Sequence, residues 1–114
     1  MNKDLIRLKH MLDSIEAILD FVKDKTRINL SESRLLSSAI ARELEILGEA
    51  AGKTSQELQD RYPELPWRQV IGMRNRLIHA YFDIDYDIVW KTIHQSLPTL
   101  RIQVEKIISE QTAS

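Results

Sequence analysis

The feature that most constrains the fold is a helical repeat of apolar residues that starts almost at the first residue. Between about residues 3 and 24, apolar side chains recur at alternating three- and four-residue steps, which places them on one face of an α-helix. The members of this stripe are Leu5, Leu8, Leu12, Ile15, Leu19 and Val22. Additional apolar residues widen it, namely Ile6, Met11, Ile18 and Phe21. A stripe of this width predicts contact with more than one neighbouring element.

A second helix is predicted from about Asn29 to Gly52. Asn29 with Glu32 three residues later resembles a capping arrangement, and glycine suits a helix C-terminus. The predicted apolar face of this helix consists of Leu35, Leu36, Ala39, Ile40, Leu44, Leu47 and Ala51.

Two more helices are predicted in the middle of the chain. The stretch 54–57, Thr-Ser-Gln-Glu, is a capping-box pattern that opens a short third helix, and the stretch 62–66, with two prolines, ends it. Pro66 suits the first turn of a fourth helix, because its missing N–H donor has no partner there in any case. This fourth helix carries Trp67 and is predicted to end between His79 and Tyr81.

A fifth helix is predicted from about Tyr86, with Asp85 as its N-cap. Pro98 lies inside its apolar ladder and is predicted to kink it, because proline removes one backbone hydrogen bond and clashes with the preceding turn. The ladder consists of Val89, Ile93, Leu97, Leu100, Val104 and Ile107. The polar tail after Ser109 is predicted to fray.

These segments predict one all-α domain over residues 1–114. No segment shows the alternation of a β-strand, and no Asn-Gly or Asp-Gly hairpin turn is present. The chain has only 3 glycines and 3 prolines, which favours long helices over turns. The predicted architecture is an antiparallel bundle of about four long helices and one short helix, because short connections make neighbouring helices antiparallel.

The charge and composition exclude several classes of protein. With 16 basic and 17 acidic side chains the net charge is −1, so RNA binding needs a local basic patch or several chains together. The absence of cysteine excludes disulfides and thiolate zinc sites. No apolar run approaches the roughly 20 residues of a membrane span, and the polar start does not resemble a secretion signal. A soluble, cytoplasmic protein is expected.

The polar cluster at residues 74–81, Arg-Asn-Arg-Leu-Ile-His-Ala-Tyr, carries the chemistry. Arginine binds phosphate oxygens through a fixed fork of donors, and histidine moves protons near neutral pH, so Arg74 and His79 point to phosphodiester cleavage. On an ideal helix they lie about 140° apart, whereas Asn75 and His79 share a face. Either the helix ends or bends before His79, or two chains build the site; spacing alone does not choose. The alternative is a purely structural role, a helix end with a capping histidine and solvated arginines.

Other polar residues carry weaker signals. Glu45 and Glu49 lie one helical step apart, but no Glu-x-x-His accompanies them, so neither a metal nor a cofactor is expected. His10 and His94 stand alone on helices and are interpreted as surface or boundary residues. The alternating aspartates Asp83, Asp85 and Asp87 are better explained by helix capping than by a cation loop. Trp67 and Trp90 are interpreted as core or interface anchors.

The segment 71–82 resembles the signature of HEPN-domain proteins, specifically the HepT-like toxins. Their Arg-x4-His-x-Tyr motif is matched by Arg74, His79 and Tyr81. Three further segments match in order along the chain: 44–51 (Leu-Glu-Ile-Leu-Gly-Glu-Ala-Ala), 62–67 (Tyr-Pro-Glu-Leu-Pro-Trp) and 87–90 (Asp-Ile-Val-Trp). The resemblance therefore covers nearly the whole chain.

The resemblance implies an antiparallel helical bundle that dimerises and cleaves RNA in a cleft at the dimer interface. Carried onto this sequence, Arg74 and His79 are catalytic and Asn75 supports them. Family members are encoded beside a minimal nucleotidyltransferase antitoxin, which transfers AMP to the motif tyrosine, here Tyr81, and blocks the nuclease. Considered without the family, Tyr81 is an ordinary half-buried aromatic.

Three functional hypotheses follow. The first is a metal-independent endoribonuclease toxin with RNA as substrate and the antitoxin as partner, acting as a homodimer or a larger assembly. Its RNA path would depend on arginines of two chains, among them Arg68 and Arg76. The second is a non-catalytic helical partner of a nucleotidyltransferase that helps to bind nucleotide or substrate. The third is a helical dimerisation module without a ligand.

Overall fold

The computed structural model describes residues 2–79 and 83–113, with the backbone alone at Arg74, Leu77, Ile78, His79 and Asp83. The described residues form eight helices and two short strands. In chain order these are α1 (Lys3–Phe21), α2 (Arg27–Glu32), α3 (Arg34–Gly52), α4 (Gln56–Arg61), α5 (Trp67–Ile71), α6 (Met73–Leu77), β1 (Ile78–His79), β2 (Asp83–Ile84), α7 (Tyr86–Gln95) and α8 (Leu97–Ala113).

The first helix begins where the Asn2 side chain accepts a hydrogen bond from the Leu5 N–H at 3.2 Å. The widened apolar stripe packs against two elements, α3 and α8, as its breadth predicted. Its fully buried apolar side chains are Leu8, Met11, Ile15 and Ile18. Each of these contributes about 1.5–3 kcal/mol through the apolar surface it removes from water. Helix α1 is therefore the central contact of the bundle.

The predicted second helix is two helices. Thr26, not Asn29, is the first N-cap, and the two residues form a reciprocal capping box over α2. Ser33 then ends α2 and caps α3 by accepting a hydrogen bond from the Leu36 N–H at 3.0 Å. Leu35 was predicted to be buried but is 82% exposed, because this new start of α3 turns it outward. The end of α3 at Gly52 is confirmed.

The middle of the chain follows the predicted order, with two corrections. Ser55, rather than Thr54, caps the short α4. Trp67 is buried as predicted, and its Nε1–H donates to the Tyr62 carbonyl at 2.9 Å. The predicted fourth helix is divided at Gly72 into α5 and α6. Glycine, which costs about 1 kcal/mol relative to alanine within a helix, stands at the break.

The chain after α6 departs from the purely helical prediction. Strands β1 and β2 pair antiparallel, with Ile78 opposite Ile84 and His79 opposite Asp83. Each strand has only two residues, so no alternating sequence pattern existed to reveal it. The predicted helix to His79 or beyond is therefore wrong by at least two residues.

The predicted fifth helix also divides, at Ser96 between α7 and α8. Asp85 caps α7 by accepting a hydrogen bond from the Ile88 N–H at 3.1 Å, as predicted. Pro98 is the second residue of α8, where its missing N–H costs little, so the break expected from this proline occurs just before it. The tail does not fray after Ser109; α8 continues to Ala113.

The all-α bundle is confirmed, although its helices are shorter and more numerous than predicted. Helices α1, α3 and α8 form the main layer, with 19, 19 and 17 residues. Helix α7 packs on α8, α2 bridges α3 and α7, and the α5–α6 segment packs on α3. The α5–α6 segment, which carries Arg74 and leads into β1 with His79, thus packs against α3.

Candidate active site

The motif segment changes from helix to strand between its two key residues. Arg74 lies on α6, the helix ends at Leu77, and His79 lies on β1. The first of the two arrangements considered from spacing, a helix that ends before His79, is present in the single chain. The angular separation of about 140° on an ideal helix therefore does not apply to this pair. The side chains of Arg74 and His79, and the whole of Tyr81, lie outside the described residues.

Backbone pairing ties the end of the motif to the start of α7. His79 faces Asp83 across the strand pair, and two residues later Asp85 caps α7. Helix α7 is joined in turn to α2 by an ion pair in which Arg27 Nε donates to Asp87 at 2.7 Å. The strand pair, the N-cap of α7 and the ion pair to α2 therefore link the backbone of His79 to the packed helices.

The other residues predicted for the site differ in their surroundings. Asn75 is exposed on α6, one residue after Arg74. Arg76 is also exposed and lines a groove between the α5–α6 segment and α8. Arg68 is exposed on α5 but does not line that groove. The structure therefore does not bring the two predicted RNA-binding arginines, Arg68 and Arg76, into one groove of a single chain.

The α5–α6 segment rests on α3 at a glycine. A Cβ atom on Gly48 would lie 3.0 Å from the Ile71 carbonyl oxygen and 3.3 Å from that of Val70. On the same segment Val70 and Met73 are buried in the core. Helix α3 thus holds the backbone that leads directly into Arg74, and glycine allows this close approach without displacing the neighbouring backbone.

The weaker polar candidates have ordinary structural roles. Glu49 accepts a hydrogen bond from Lys53 Nζ at 3.0 Å, and this bond, with the charge of the ammonium, lowers the pKa of the Glu49 carboxyl. Glu45 pairs with Arg42 at 3.3 Å. The exposed His94 has its Nδ1 2.9 Å from the carbonyl of Trp90, one turn earlier. Among the residues that the structure describes, no group of histidine, aspartate and glutamate is placed to hold a metal ion.

Sequence reasoning assigned no role to several residues around the motif. Gly48 belongs to one of the segments that resemble the family, and an isolated glycine within a helical pattern is itself a sign of close packing. The groove beside Arg76 gave no sequence signal, because its polar residues come from segments 26 to 34 residues apart. These residues are Gln69, Gln95, Thr99 and Gln103.

None of the described helices combines the length and the apolar character needed to cross a bilayer.

Comparison with known proteins places the chain in a family. Residues 11–107 match the model of the family described as Ribonuclease HepT-like. A candidate RNase of Caldanaerobacter subterraneus is 35% identical over 104 residues, which are 91% of this chain and 93% of the relative. A candidate ribonuclease HepT of Thermococcus cleftensis is 34% identical over 100 residues, covering 88% of this chain and 91% of the relative.

Another relative is a longer protein. A Methanocaldococcus jannaschii protein, named as a gamma-glutamylcyclotransferase and candidate RNase, is 37% identical over 111 residues. The match covers 96% of this chain but only 50% of that relative. No solved structure matches the chain significantly. The family match and the identities confirm the resemblance seen in the motif, and at the level of the family they confirm the prediction of a ribonuclease: the chain belongs to the HepT-like ribonuclease family.

Proposed function

We propose that the chain is a metal-independent endoribonuclease, the toxin of a HEPN and minimal nucleotidyltransferase toxin–antitoxin module. The observation that carries the proposal is an Arg-x4-His-x-Tyr motif inside the region that matches the HepT-like family. The motif supplies the two groups that RNA cleavage by the ribose 2′-hydroxyl needs, a proton-transfer group and a cation for the phosphate. The backbone supports the proposal, since His79 follows the end of α6 instead of lying on its opposite side.

The proposed reaction breaks one P–O5′ bond and forms one P–O2′ bond. His79 takes the proton of the 2′-hydroxyl or gives a proton to the leaving 5′-oxygen. Arg74 stabilises the negative charge that grows on the non-bridging oxygens, and Asn75 supports the pair. Two protomers would supply both proton-transfer roles from two copies of one motif, as a symmetric dimer allows. The products are a 2′,3′-cyclic phosphate and a 5′-hydroxyl.

The purified chain is expected to cleave single-stranded RNA in the presence of a strong chelator, because neither proposed step uses a metal. The measurement is gel analysis of end-labelled RNA, with enzymatic identification of the new termini. Cyclic phosphate and 5′-hydroxyl ends support the mechanism. Activity that disappears with chelator and returns with a divalent cation, or products with 5′-phosphate ends, would contradict it.

The second part of the proposal is control by AMP transfer to Tyr81. The phenolic oxygen would attack the α-phosphorus of an AMP donor, with loss of its proton and of the remaining phosphates. Tyr81 is two residues from His79, so an added adenylate lies within reach of the cleft. Its phosphate would also attract Arg74 and occupy the donors that RNA needs.

Co-expression with the cognate nucleotidyltransferase is expected to raise the intact mass of the chain by AMP-sized increments and to remove RNA cleavage. Tyr81→Phe lacks the acceptor oxygen, so it is expected to show no increment and to stay active in the presence of the partner. Tyr62→Phe is a matched control, because Tyr62 is buried in the core and donates to Glu110 at 2.9 Å. Increments that persist in Tyr81→Phe would assign the acceptor to another residue.

A further inference from the structure

Helix α3 meets the motif segment at two places that fix how the two run past each other. At the first, a Cβ on Gly48 would lie 3.0 Å from the Ile71 carbonyl oxygen. At the second, Ala41 of α3 and Ile84 of β2 line the same small apolar space, and Ile84 pairs with Ile78 directly after α6. Moving back along α3 from 48 to 41 therefore corresponds to moving forward along the motif from 71 to 78, so the two segments are antiparallel.

This antiparallel register places Glu45 opposite Arg74. Glu45 is three residues before Gly48 on α3. Arg74 is three residues after Ile71, so both lie about 4.5 Å along their helices from the same contact. The helical spacing holds across the break at Gly72, where two backbone hydrogen bonds to the fourth preceding residue are kept, both at 3.0 Å. Helices α3 and α6 are in direct contact.

Glu45 also lies on the face of α3 that meets the motif segment. Residues 41, 45, 48 and 52 recur at four- and three-residue steps, which places them on one side of the helix. Gly48 and Gly52 identify this side, because a Cβ on either glycine would meet Ile71. The Glu45 side chain is 34% exposed, against 63% for Glu49 on the same helix. This partial burial strengthens its attraction to a neighbouring cation.

The surface contact of Glu45 with Arg42 is compatible with a second cation. Arg42 Nη1 lies 3.3 Å from Glu45 Oε2, and the arginine side chain is 67% exposed. The two oxygens of a carboxylate accept up to about four hydrogen bonds, so one such contact does not exhaust them. A guanidinium has several N–H donors in a fixed fork, so it can bind a carboxylate with some of them and a phosphate with others.

We propose that Glu45 is a positioning residue of the ribonuclease, and that its carboxylate anchors the guanidinium of Arg74. The arginine side chain is long and has many rotamers, so an anchor reduces the conformations outside the productive geometry. The inference rests on the proposed ribonuclease function and deepens it, because it names what holds the cation that meets the phosphate. Glu45 itself touches neither the RNA nor the transferred proton.

Glu45→Gln keeps the size of the side chain and removes its charge. The variant is expected to have a kcat about tenfold below that of the parent, because a misplacement near 1 Å costs about 10²-fold and the amide oxygen still accepts one bond. Its KM for RNA is expected to be unchanged or lower, because a negative charge beside the bound phosphate is lost. A purely structural role would not separate kcat from KM in this way. The measurement is steady-state cleavage of a labelled single-stranded oligoribonucleotide.

Arg74→Ala tests whether Glu45 acts through the arginine. In a chain that already carries Arg74→Ala, Glu45→Gln is expected to cost nothing more in single-turnover cleavage, because its partner is gone. The same four chains are compared by chemical denaturation. The two changes are expected to be coupled by about two- to fivefold in the unfolding equilibrium constant, the scale of a partly exposed ion pair.

Two matched controls separate this role from a general effect of charge on α3. Glu49→Gln removes an exposed acid of the same helix, which pairs with Lys53 at 3.0 Å. Arg42→Gln removes the surface partner of Glu45 and leaves the carboxylate in place. Both variants are expected to keep the parental kcat.

Three results would overturn the inference. The first is a parental kcat in Glu45→Gln, or a loss of activity that lies wholly in KM. The second is additive effects of Glu45→Gln and Arg74→Ala, in cleavage or in unfolding. The third is an equal loss of kcat in Arg42→Gln, which would assign the effect to the surface pair. Failure of the proposed function differs from all three: the parent would leave RNA uncut, while the coupling between Glu45 and Arg74 in unfolding would persist.

Discussion

Replacing His79 with alanine is expected to abolish RNA cleavage while leaving the chain folded. A positioned proton-transfer group contributes about 10²–10⁴-fold to the rate, so cleavage should slow by at least about 10²-fold. In a dimeric site both copies of the group are lost together, which favours the upper figure. Strand β1 is held through backbone pairing with β2, so removal of the imidazole should leave the hairpin in place. The measurement is single-turnover cleavage with chelator present, together with growth arrest on expression.

The matched control is His94→Ala. His94 is exposed on α7, where its Nδ1 approaches the carbonyl of Trp90 on its own helix, and no step of the proposed reaction uses it. The His94→Ala chain should cleave RNA at the parental rate. A His79→Ala chain that cleaved RNA as fast as the parent would remove the proposed catalytic role. If neither the parent nor the variant cleaved RNA, while both still bound the nucleotidyltransferase, the chain would instead be its non-catalytic partner.

Gly48→Ala is expected to lower RNA cleavage by up to about tenfold, although Gly48 lies on a helix apart from the motif. Its new Cβ would lie 3.0 Å from the Ile71 carbonyl oxygen, so α5 must move by a few tenths of an ångström. A displacement near 1 Å of a catalytic group costs about 10²-fold in rate, so this smaller shift of the segment that leads into Arg74 costs correspondingly less. The free energy of unfolding should change little, because two effects partly cancel. Alanine stabilises a helix by about 1 kcal/mol relative to glycine, while overpacking at the contact costs about 1–3 kcal/mol.

The control for this change is one helical turn away on the same helix. A Cβ on Gly52 would meet only side-chain atoms of Ile71, at 3.8 and 3.9 Å, which is ordinary contact. Gly52→Ala should therefore keep the parental cleavage rate and gain about 0.4–1 kcal/mol in the free energy of unfolding. Chemical denaturation and cleavage assays on the three chains test both statements. Equal cleavage by Gly48→Ala and the parent would show that the contact with α5 does not position the site.

The helical class and most of the core could be predicted from the sequence because helix periodicity is a local signal. The fully buried apolar residues of α1 were all within its predicted stripe or its widening, whereas the buried Ser14 was not predicted. Asp85 was recognised as a cap because a cap needs only neighbouring residues. The errors arose where the local signals were ambiguous. Several residues at 26–33 offer plausible caps, and which of them starts a helix depends on how α2 and α3 pack.

The sequence proposes the site as a set of residues and leaves their arrangement open. The resemblance names Arg74, His79 and Tyr81, and their roles stay a prediction. The end of α6 before His79 was one of two options that spacing left open, and strands of two residues leave no periodic pattern. The groove beside Arg76 joins α5–α6 to residues of α7 and α8, a proximity that no local pattern contains.

By itself the sequence determined the all-α class, the apolar faces of the long helices and the residue types of the motif, because each depends on side chains a few positions apart. Only the tertiary structure decided the rest. It ended the motif helix at Leu77, set the α5 backbone against Gly48 and formed the groove that Gln95 and Gln103 line. These features arise where distant segments pack together, and packing depends on the shape of both partners at once.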